Sequence, residues 1–288
     1  MKAWVVHGWC GPDGMAYEDL PLPEPGKGEV RVKVAAAALN FLDTLMIEGK
    51  YQVKPAFPFT PGVELAGTVD AVGEGCAIAV GTPVAGNVPT GGYAQYAIVP
   101  ERNLAPLPAR VDPVEAATML VVYPTAHLCL RDAANMAEGE TVLILAAAGG
   151  VGLAAIQVAK AWKAGRIIAA AGGAAKLEAC REYGADSLID YNDSSWPEKV
   201  KALAPKGVDI VIDMVGGEYA EQALRLLAWR GRFVVVGFAG GTIPKLAANR
   251  LLLNQGRAIG VFWGATNQRE PKFASAVLAD LFAMLARG

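Results

Sequence analysis

The chain has 288 residues, 53% of them hydrophobic, which is enough to fill the cores of two domains of about 100 to 200 residues each. A formal net charge of -2, with Lys and Arg scattered along the chain, provides no basic surface for nucleic acid. Residues 1–10 lack a signal-peptide pattern, and no apolar run reaches the ~18 residues that span a bilayer. We therefore expect a soluble, cytoplasmic protein that binds neither nucleic acid nor membranes.

The first part of the chain is rich in short strands. Residues 2–7 alternate weakly, and in residues 29–37 valines alternate with charged side chains, which indicates a sheet with one solvated face. A short helix is predicted over 40–46, followed by a proline-broken loop of the kind in which sites are often built. Further strands are predicted over 63–72, 83–88 and 93–99, and helical patterns over 112–120 and 125–134.

A glycine-rich turn follows directly on a buried strand in residues 140–152, ETVLILAAAGGVG. Residues 141–145 form an apolar run typical of an inner parallel strand. Residues 151–164 predict an amphipathic helix with its N-terminus at the turn. Such a helix end favours a bound diphosphate, although many glycine turns are only structural. The small residues with G-x-G-x-x-G spacing are Ala147, Gly149 and Gly152, and Gly150 and Val151 lie within the same predicted cofactor-binding turn.

After this turn, predicted strands and helices alternate, which indicates right-handed crossovers and a parallel sheet. With residues 141–145, the strands over 166–171, 187–190, 208–213, 232–237 and 258–262 complete a six-stranded doubly wound sheet. Helices are predicted over 151–164, 175–183, 196–203, 219–229 and 248–254, and a last amphipathic helix contains Phe273 and Leu285.

The end of the second predicted strand bears on cofactor choice. Proteins that use NAD usually place an acidic residue there, about 20 residues beyond the glycines, to bind the ribose hydroxyls. Here the positions are Ala171, Gly172 and Gly173, and Lys176 follows in the next helix. NADPH is therefore favoured, unless Lys176 is an ordinary solvated lysine.

Five stretches of the sequence are informative when taken together: NFLDTLMIEGKYQVKPAFPFTPGVELAGTV (40–69), GGYAQYAIVP (91–100), AAAGGVGLAAIQVAK (146–160), GRFVVVGFAGG (231–241) and GVFWG (260–264). They resemble the zinc-independent, zeta-crystallin-like quinone oxidoreductase branch of the medium-chain dehydrogenase/reductases. The resemblance implies a GroES-like β-rich substrate domain over 1–118, a Rossmann domain over 119–265, a C-terminal helix over 266–288 returning toward the substrate domain, and an active site in the cleft between domains. In that family the chain continues and completes the substrate domain, so the fold is expected to lack this C-terminal completion.

The resemblance also implies cofactor contacts and a subunit contact. Relatives commonly dimerise, and the strand over 258–262 is expected at a sheet edge, so we expect a homodimer. By resemblance, Gly172, Lys176 and Tyr191 surround the adenosine phosphate, and Thr125 lies near the nicotinamide. Phe238, Phe262 and Trp263 line the far wall of the same site. The alternative for these three aromatic residues is that they only pack in the core.

No zinc ligand set is expected, because this chain has Asn40-Phe41 and Gly62-Val63-Glu64 where zinc-dependent relatives have a cysteine and Gly-His-Glu. Reduction of an electron-poor acceptor then remains, with the hydride carried by the cofactor. Asn40 and Tyr51 are the candidate catalytic donors to the acceptor oxygen, although Asn40 could instead only cap a helix and Tyr51 only cover the cleft mouth. Glu64 is expected to be a buried charge in need of a partner.

Three functions remain open at this point. The leading hypothesis is NADPH-dependent reduction of quinones without a metal. The second is reduction of a 2-enone or enoyl-thioester on the same scaffold, and the third is NADPH binding without turnover.

Overall fold

The computed structural model describes residues 1–108 and 110–287; Ala109 and Gly288, which belong to the predicted substrate domain and C-terminal segment, lie outside the described residues. The chain forms two compact units, one of Met1–Val121 with Leu278–Gly288 and one of Val122–Val277. Within the described ranges, no helix combines the length and the apolar character needed to cross a membrane.

The first unit is built on an antiparallel sheet, as the alternating pattern predicts. Its described strands lie in the order β6-β3-β4-β5-β7, and β1 pairs with β2 in a separate ribbon. The core of the sheet is formed by one face of alternating strands, with Val30, Val32 and Leu65 fully buried. The elements are β1 (Lys2–Val5), β2 (Ala16–Asp19), β3 (Glu29–Ala37), α1 (Phe41–Ile47), β4 (Glu64–Val72), β5 (Pro83–Asn87), β6 (Tyr96–Pro100), β7 (Leu104–Pro106) and α2 (Pro113–Ala117).

The second unit contains the predicted parallel sheet. Its described strands lie in the order β10-β9-β8-β11-β12-β13, every neighbouring pair is parallel, and the crossover helices connect them. The doubly wound prediction is therefore confirmed. The elements are α3 (Val122–His127), β8 (Thr141–Leu145), α4 (Gly150–Ala161), β9 (Arg166–Ala171), α5 (Ala174–Glu182), β10 (Ser187–Asp190), α6 (Trp196–Leu203), β11 (Val208–Asp213), α7 (Gly217–Leu224), β12 (Leu227–Val235), α8 (Ala248–Asn254), β13 (Arg257–Gly260) and α9 (Trp263–Arg269). The last helix, α10 (Pro271–Leu285), begins in this unit, and its residues from Leu278 onward belong to the first unit.

Two predicted helices differ from the sequence pattern. The helix predicted over 219–229 ends at Leu224, because buried Leu227 already pairs with Val208 as the start of β12. Arg230 then adopts a left-handed φ of 59°, where the register of this strand pair shifts. The helix predicted over 125–134 continues α3 as a π-helical turn over Leu128–Ala133.

The parallel sheet places the ends of its central strands side by side. Leu145, at the end of β8, is in register with Ala170 of β9, and Ala171 is in register with Asp190 of β10. The loops that follow these strands therefore meet along one edge of the sheet, where doubly wound folds bind ligands.

Candidate functional site

The turn after β8 forms because its backbone groups bond to neighbouring strands. Ala147 is fully buried, and its N–H donates to the Ala170 carbonyl at 3.0 Å. Ala146 adopts a left-handed φ of 49°, and its carbonyl accepts the N–H of Gly149 at 2.9 Å. These bonds reverse the chain within a few residues and start α4 at Gly150.

The two glycines of the motif serve different purposes. A Cβ at Gly152 would lie 2.5 Å from the Ala147 carbonyl oxygen, so the helix approaches the turn too closely for any side chain. A Cβ at Gly149 would meet only the Ala146 carbonyl oxygen, at 3.3 Å, and would otherwise face open space. Gly152 is thus required by packing, whereas Gly149 leaves its backbone open to an approaching group.

The N-terminus of α4 is suited to an anion. Gly149 is its N-cap residue and has no side chain to cap it, so the leading N–H groups, including that of Val151, have no intrahelical acceptor. α3 packs beside this helix end, with Val122 3.0 Å from where a Cβ of Gly150 would be. Thr125, the candidate nicotinamide neighbour, is buried on α3.

A second helix N-terminus, that of α5, lies at the same edge of the sheet, after β9. Gly173, with a φ of 90°, is the N-cap residue of α5 and also has no side-chain cap. Lys176 is exposed in the first turn of α5. Tyr191 is half-buried with its ring centroid 4.6 Å from that of Tyr219, and burial raises the pKa of its hydroxyl. The register of β9 and β10 brings Gly172 and Tyr191 to neighbouring strand ends.

The predicted aromatic residues differ in exposure. Phe238 and Phe262 are 39% and 51% exposed, whereas Trp263 is 5% exposed at the start of α9. The Phe238 ring lies beside Gly216, where a Cβ would be 3.1 Å from it. Phe238 and Phe262 are therefore accessible to a ligand, whereas only a small part of the Trp263 ring is exposed.

The first unit contains a buried polar network around Asn40. The side-chain nitrogen of Asn40 donates to Glu64 Oε1 at 2.8 Å, and the Leu120 N–H donates to Glu64 Oε2 at 3.0 Å. Glu64 is 1% exposed, and burial raises its pKa to about 7, against the opposing effect of these hydrogen bonds. The expected partner of this buried group is therefore a set of N–H donors, from the Asn40 side chain and the backbone of Leu120 and Val121.

Asp43 and Tyr93 complete the network. Asn40 is the N-cap residue of α1, and its backbone N–H donates to Asp43 Oδ2 at 2.9 Å. The Tyr93 hydroxyl donates to the same oxygen at 2.7 Å. Burial raises the pKa of Asp43, and burial with the nearby Asp43 charge raises the pKa of Tyr51. Asn40 thus begins α1, and its side-chain amide is held by Glu64.

Several of these residues carry no signal in the sequence. Asp43 and Tyr93 were missed because they are separated by 50 residues and share no recognisable motif. Asp213, at the end of β11, is fully buried and accepts the N–H groups of Val215 and Gly216 at 2.9 and 3.0 Å. It begins the turn into α7, and burial raises its pKa.

Comparisons with known proteins agree with this arrangement. Residues 26–109 match the alcohol dehydrogenase GroES-like domain, and residues 150–279 match the zinc-binding dehydrogenase family. The chain is 42% identical over 256 residues to quinone oxidoreductase-like protein 2 of Bos taurus, covering 88% of this chain and 73% of that protein. The chain belongs to the quinone oxidoreductase branch of the medium-chain dehydrogenase/reductases. The predicted family is confirmed.

Solved structures of this branch share the fold over the whole chain. The quinone oxidoreductase of Thermus thermophilus, determined also as its NADPH complex, is 39% identical with a TM-score of 0.85, covering 100% of this chain and 88% of that one. The Escherichia coli quinone oxidoreductase complexed with NADPH is 29% identical with a TM-score of 0.91, covering 100% and 89%. The GroES-like and Rossmann architecture predicted from the sequence is confirmed.

The contrast between the two glycines predicts different effects on stability. We expect Gly152→Ala to lower the free energy of unfolding by about 1–3 kcal/mol or more, because the added methyl group meets backbone atoms that cannot move aside. Gly149→Ala should cost much less, since Gly149 has an extended conformation and its added methyl group would meet a single atom, the Ala146 carbonyl oxygen, at 3.3 Å. Thermal and urea unfolding of both variants measure this; equal destabilisation would contradict it.

The raised pKa of Glu64 predicts a pH-dependent stability. Native Glu64 holds its proton up to about pH 7, whereas the unfolded chain releases it near the usual value of 4.5. Between these values the unfolded state binds fewer protons, so the free energy of unfolding falls as the pH rises. The Glu64 contribution is on the order of 3 kcal/mol.

Glu64→Gln removes this titration, so we expect its urea midpoint to decline less than that of the wild type between pH 5 and pH 8. Asp43 and Asp213 also have raised pKa values, but they are present in both proteins. Glu74→Gln, at an exposed ion pair with Lys27, is the control. Its urea midpoint should change with pH as steeply as that of the wild type. Identical slopes for wild type and Glu64→Gln would refute the assignment.

Proposed function

We propose that the protein reduces quinones with NADPH by hydride transfer and without a metal. The observation that carries this proposal is the hydrogen bond between Asn40 and Glu64. Asn40 stands where zinc-dependent relatives are expected to have a cysteine, and Glu64 directly follows Val63, which stands at the expected histidine position. An amide donor held by a carboxylate can stabilise charge on an acceptor oxygen without any ion.

The Rossmann unit supports NADPH as the cofactor. The open backbone at Gly149 and the uncapped N-terminus of α4 fit a diphosphate, and no acidic side chain follows β9 at Gly172. The Thermus and Escherichia relatives, whose structures were determined with NADPH, support the same choice. We propose that Lys176 and Tyr191 contact the adenosine end, and that Thr125, Phe238, Phe262 and Trp263 surround the nicotinamide.

The residues at Asn40 and Glu64 do not fit the zinc that the family description suggests. Zinc sites in dehydrogenases are built from thiolate, imidazole and carboxylate ligands. Asn40 offers an amide nitrogen that is already donating, and both Glu64 oxygens accept hydrogen bonds from protein N–H groups. Within residues 1–108 and 110–287, no three His, Cys, Asp or Glu side chains form a metal-ligand group.

The proposed chemistry divides between the cofactor and the chain. Bound NADPH supplies the hydride. Asn40 and Tyr51 would donate hydrogen bonds to the quinone oxygen as negative charge develops on it. Asp43 and Glu64 would hold Asn40 in place through its backbone and side chain, and water would supply the proton that completes the hydroquinone.

We expect purified protein to oxidise NADPH when given benzoquinones or naphthoquinones. Asn40→Ala should lower kcat/KM for the quinone by about 10-fold to 1000-fold, because it removes a donor to developing charge. The dissociation constant of NADPH should stay unchanged in this variant and rise in Gly149→Ala, which tests the two units separately.

Tyr51→Phe is a second variant that keeps the ring packing and removes only the hydroxyl donor. Circular dichroism and thermal unfolding check that each variant is folded.

Failure of the wild type to oxidise NADPH with any quinone would contradict the proposed reaction. Faster turnover of a 2-enone or enoyl-thioester would identify an alkene reductase, and tight NADPH binding with no acceptor-dependent oxidation would identify a binding protein without turnover.

We also propose that two copies associate through the edge strand β13. Its outer backbone groups form an edge of the parallel sheet, and edges of this kind pair readily with another strand. Leu252 and Leu253, on the preceding α8, are 78% and 64% exposed, which adds an apolar surface near this edge.

Light scattering coupled to size-exclusion chromatography should give about 60 kDa, twice the 30.0 kDa of one chain. Leu253→Glu should shift the mass toward that of a monomer, because a carboxylate at an apolar contact is costly to bury. Val114→Glu, at another exposed apolar position, is the matched control. A monomeric wild type would refute the dimer.

A further inference from the structure

Asn192 lies against the residue at which dinucleotide folds select their cofactor. A Cβ built on Gly172 would lie 3.0 Å from Asn192 Nδ2 and 3.2 Å from its Oδ1. The space that a side chain at position 172 would enter is therefore already occupied by an amide from the next strand's loop. Asn192 is exposed overall, so its amide remains accessible to a ligand.

The position of this amide is set by the loop that carries it. The Tyr191 N–H donates to the Ala171 carbonyl at 3.3 Å, and the Asn192 N–H donates to Asp190 Oδ1 at 2.9 Å. Tyr191, the residue directly before Asn192, is held in place because its ring packs against that of Tyr219. These contacts hold the start of the loop beside the end of β9.

The chemistry of an amide at this place differs from that of the usual acid. A carboxylate accepts hydrogen bonds from both ribose hydroxyls and repels a phosphate on the 2′ oxygen. The nitrogen of an uncharged amide donates, and phosphate oxygens are strong acceptors. Lys176, exposed in the first turn of α5, adds positive charge near the same strand end.

We propose that Asn192 is a specificity-determining residue whose side-chain nitrogen donates a hydrogen bond to the 2′-phosphate of the adenosine ribose. The inference rests on the proposed use of NADPH and extends it to a residue outside the glycine motif. It also explains the role of Gly172, which leaves the space beside the strand end to the Asn192 amide.

The test measures the dissociation constants of NADPH and NADH from cofactor fluorescence, with no acceptor present. We expect Asn192→Ala to weaken NADPH binding about tenfold, the effect of losing a hydrogen bond to a charged group, and to change NADH binding less than about twofold. Asn192→Asp should weaken NADPH binding further, because it places a negative charge beside the phosphate. Ser194→Ala, in the same exposed loop, is the control and should leave both constants unchanged.

A second arm uses the contact between residues 172 and 192. Gly172→Ala places a methyl group 3.0 Å from Asn192 Nδ2 and should displace the amide. It should therefore weaken NADPH binding in the wild-type background and have little further effect once Asn192 is alanine. Additive effects of Gly172→Ala and Asn192→Ala would overturn the proposal.

The outcomes separate this proposal from the proposed function. If wild type prefers NADPH to NADH but Asn192→Ala binds both with unchanged affinity, or weakens both equally, Asn192 has no selective role and the NADPH assignment stands. If the wild type binds neither cofactor or does not discriminate between them, the proposed NADPH function itself fails.

Discussion

The arrangement of the candidate dinucleotide site in the second unit depends on the close contact between α4 and the turn after β8. Gly152 lies so near the Ala147 carbonyl that a side chain would force the helix away. This contact keeps the N-terminus of α4 at the sheet edge, with its leading N–H groups uncapped. Gly149 then leaves the turn open at the point where those groups face outward. The phosphate-binding geometry is therefore a consequence of helix packing as much as of a binding motif.

The first unit meets a different constraint, because it buries the carboxyl groups of Asp43 and Glu64 against uncharged hydrogen-bond donors. Burial of Asp43 and Glu64 disfavours their charged forms, which raises the pKa of both groups. Hydrogen bonds from Asn40, Tyr93 and the Leu120 backbone oppose this effect. The same bonds restrain Asn40 at its backbone and its side chain, so an uncharged amide gains a fixed position.

The sequence predicted the parallel sheet well because each inner strand is a short apolar run bounded by turn residues, as in Thr141–Leu145 and Val208–Asp213. It misplaced the start of β12, since residues 219–229 fit a helical pattern that the pairing of Leu227 with Val208 overrides. The Asn40 network could be predicted only in part, because spacing says nothing of contacts between Asp43 and Tyr93. Asn192 was missed for the same reason, since its relation to Gly172 depends on the pairing of β9 and β10.

Glu64, which directly follows the expected ligand position at Val63, shows how a buried carboxyl group can be required without a metal. An apolar replacement would remove the acceptor of two hydrogen bonds, from the Asn40 side chain and the Leu120 N–H. A buried donor that loses its acceptor costs about 1–3 kcal/mol, which is comparable to the cost of burying the carboxyl group with its proton. The carboxyl group can therefore be retained for its two acceptor oxygens alone. At Gly172 a neighbouring group likewise takes a role that a side chain has elsewhere, because the Asn192 amide occupies the space that a side chain at position 172 would enter.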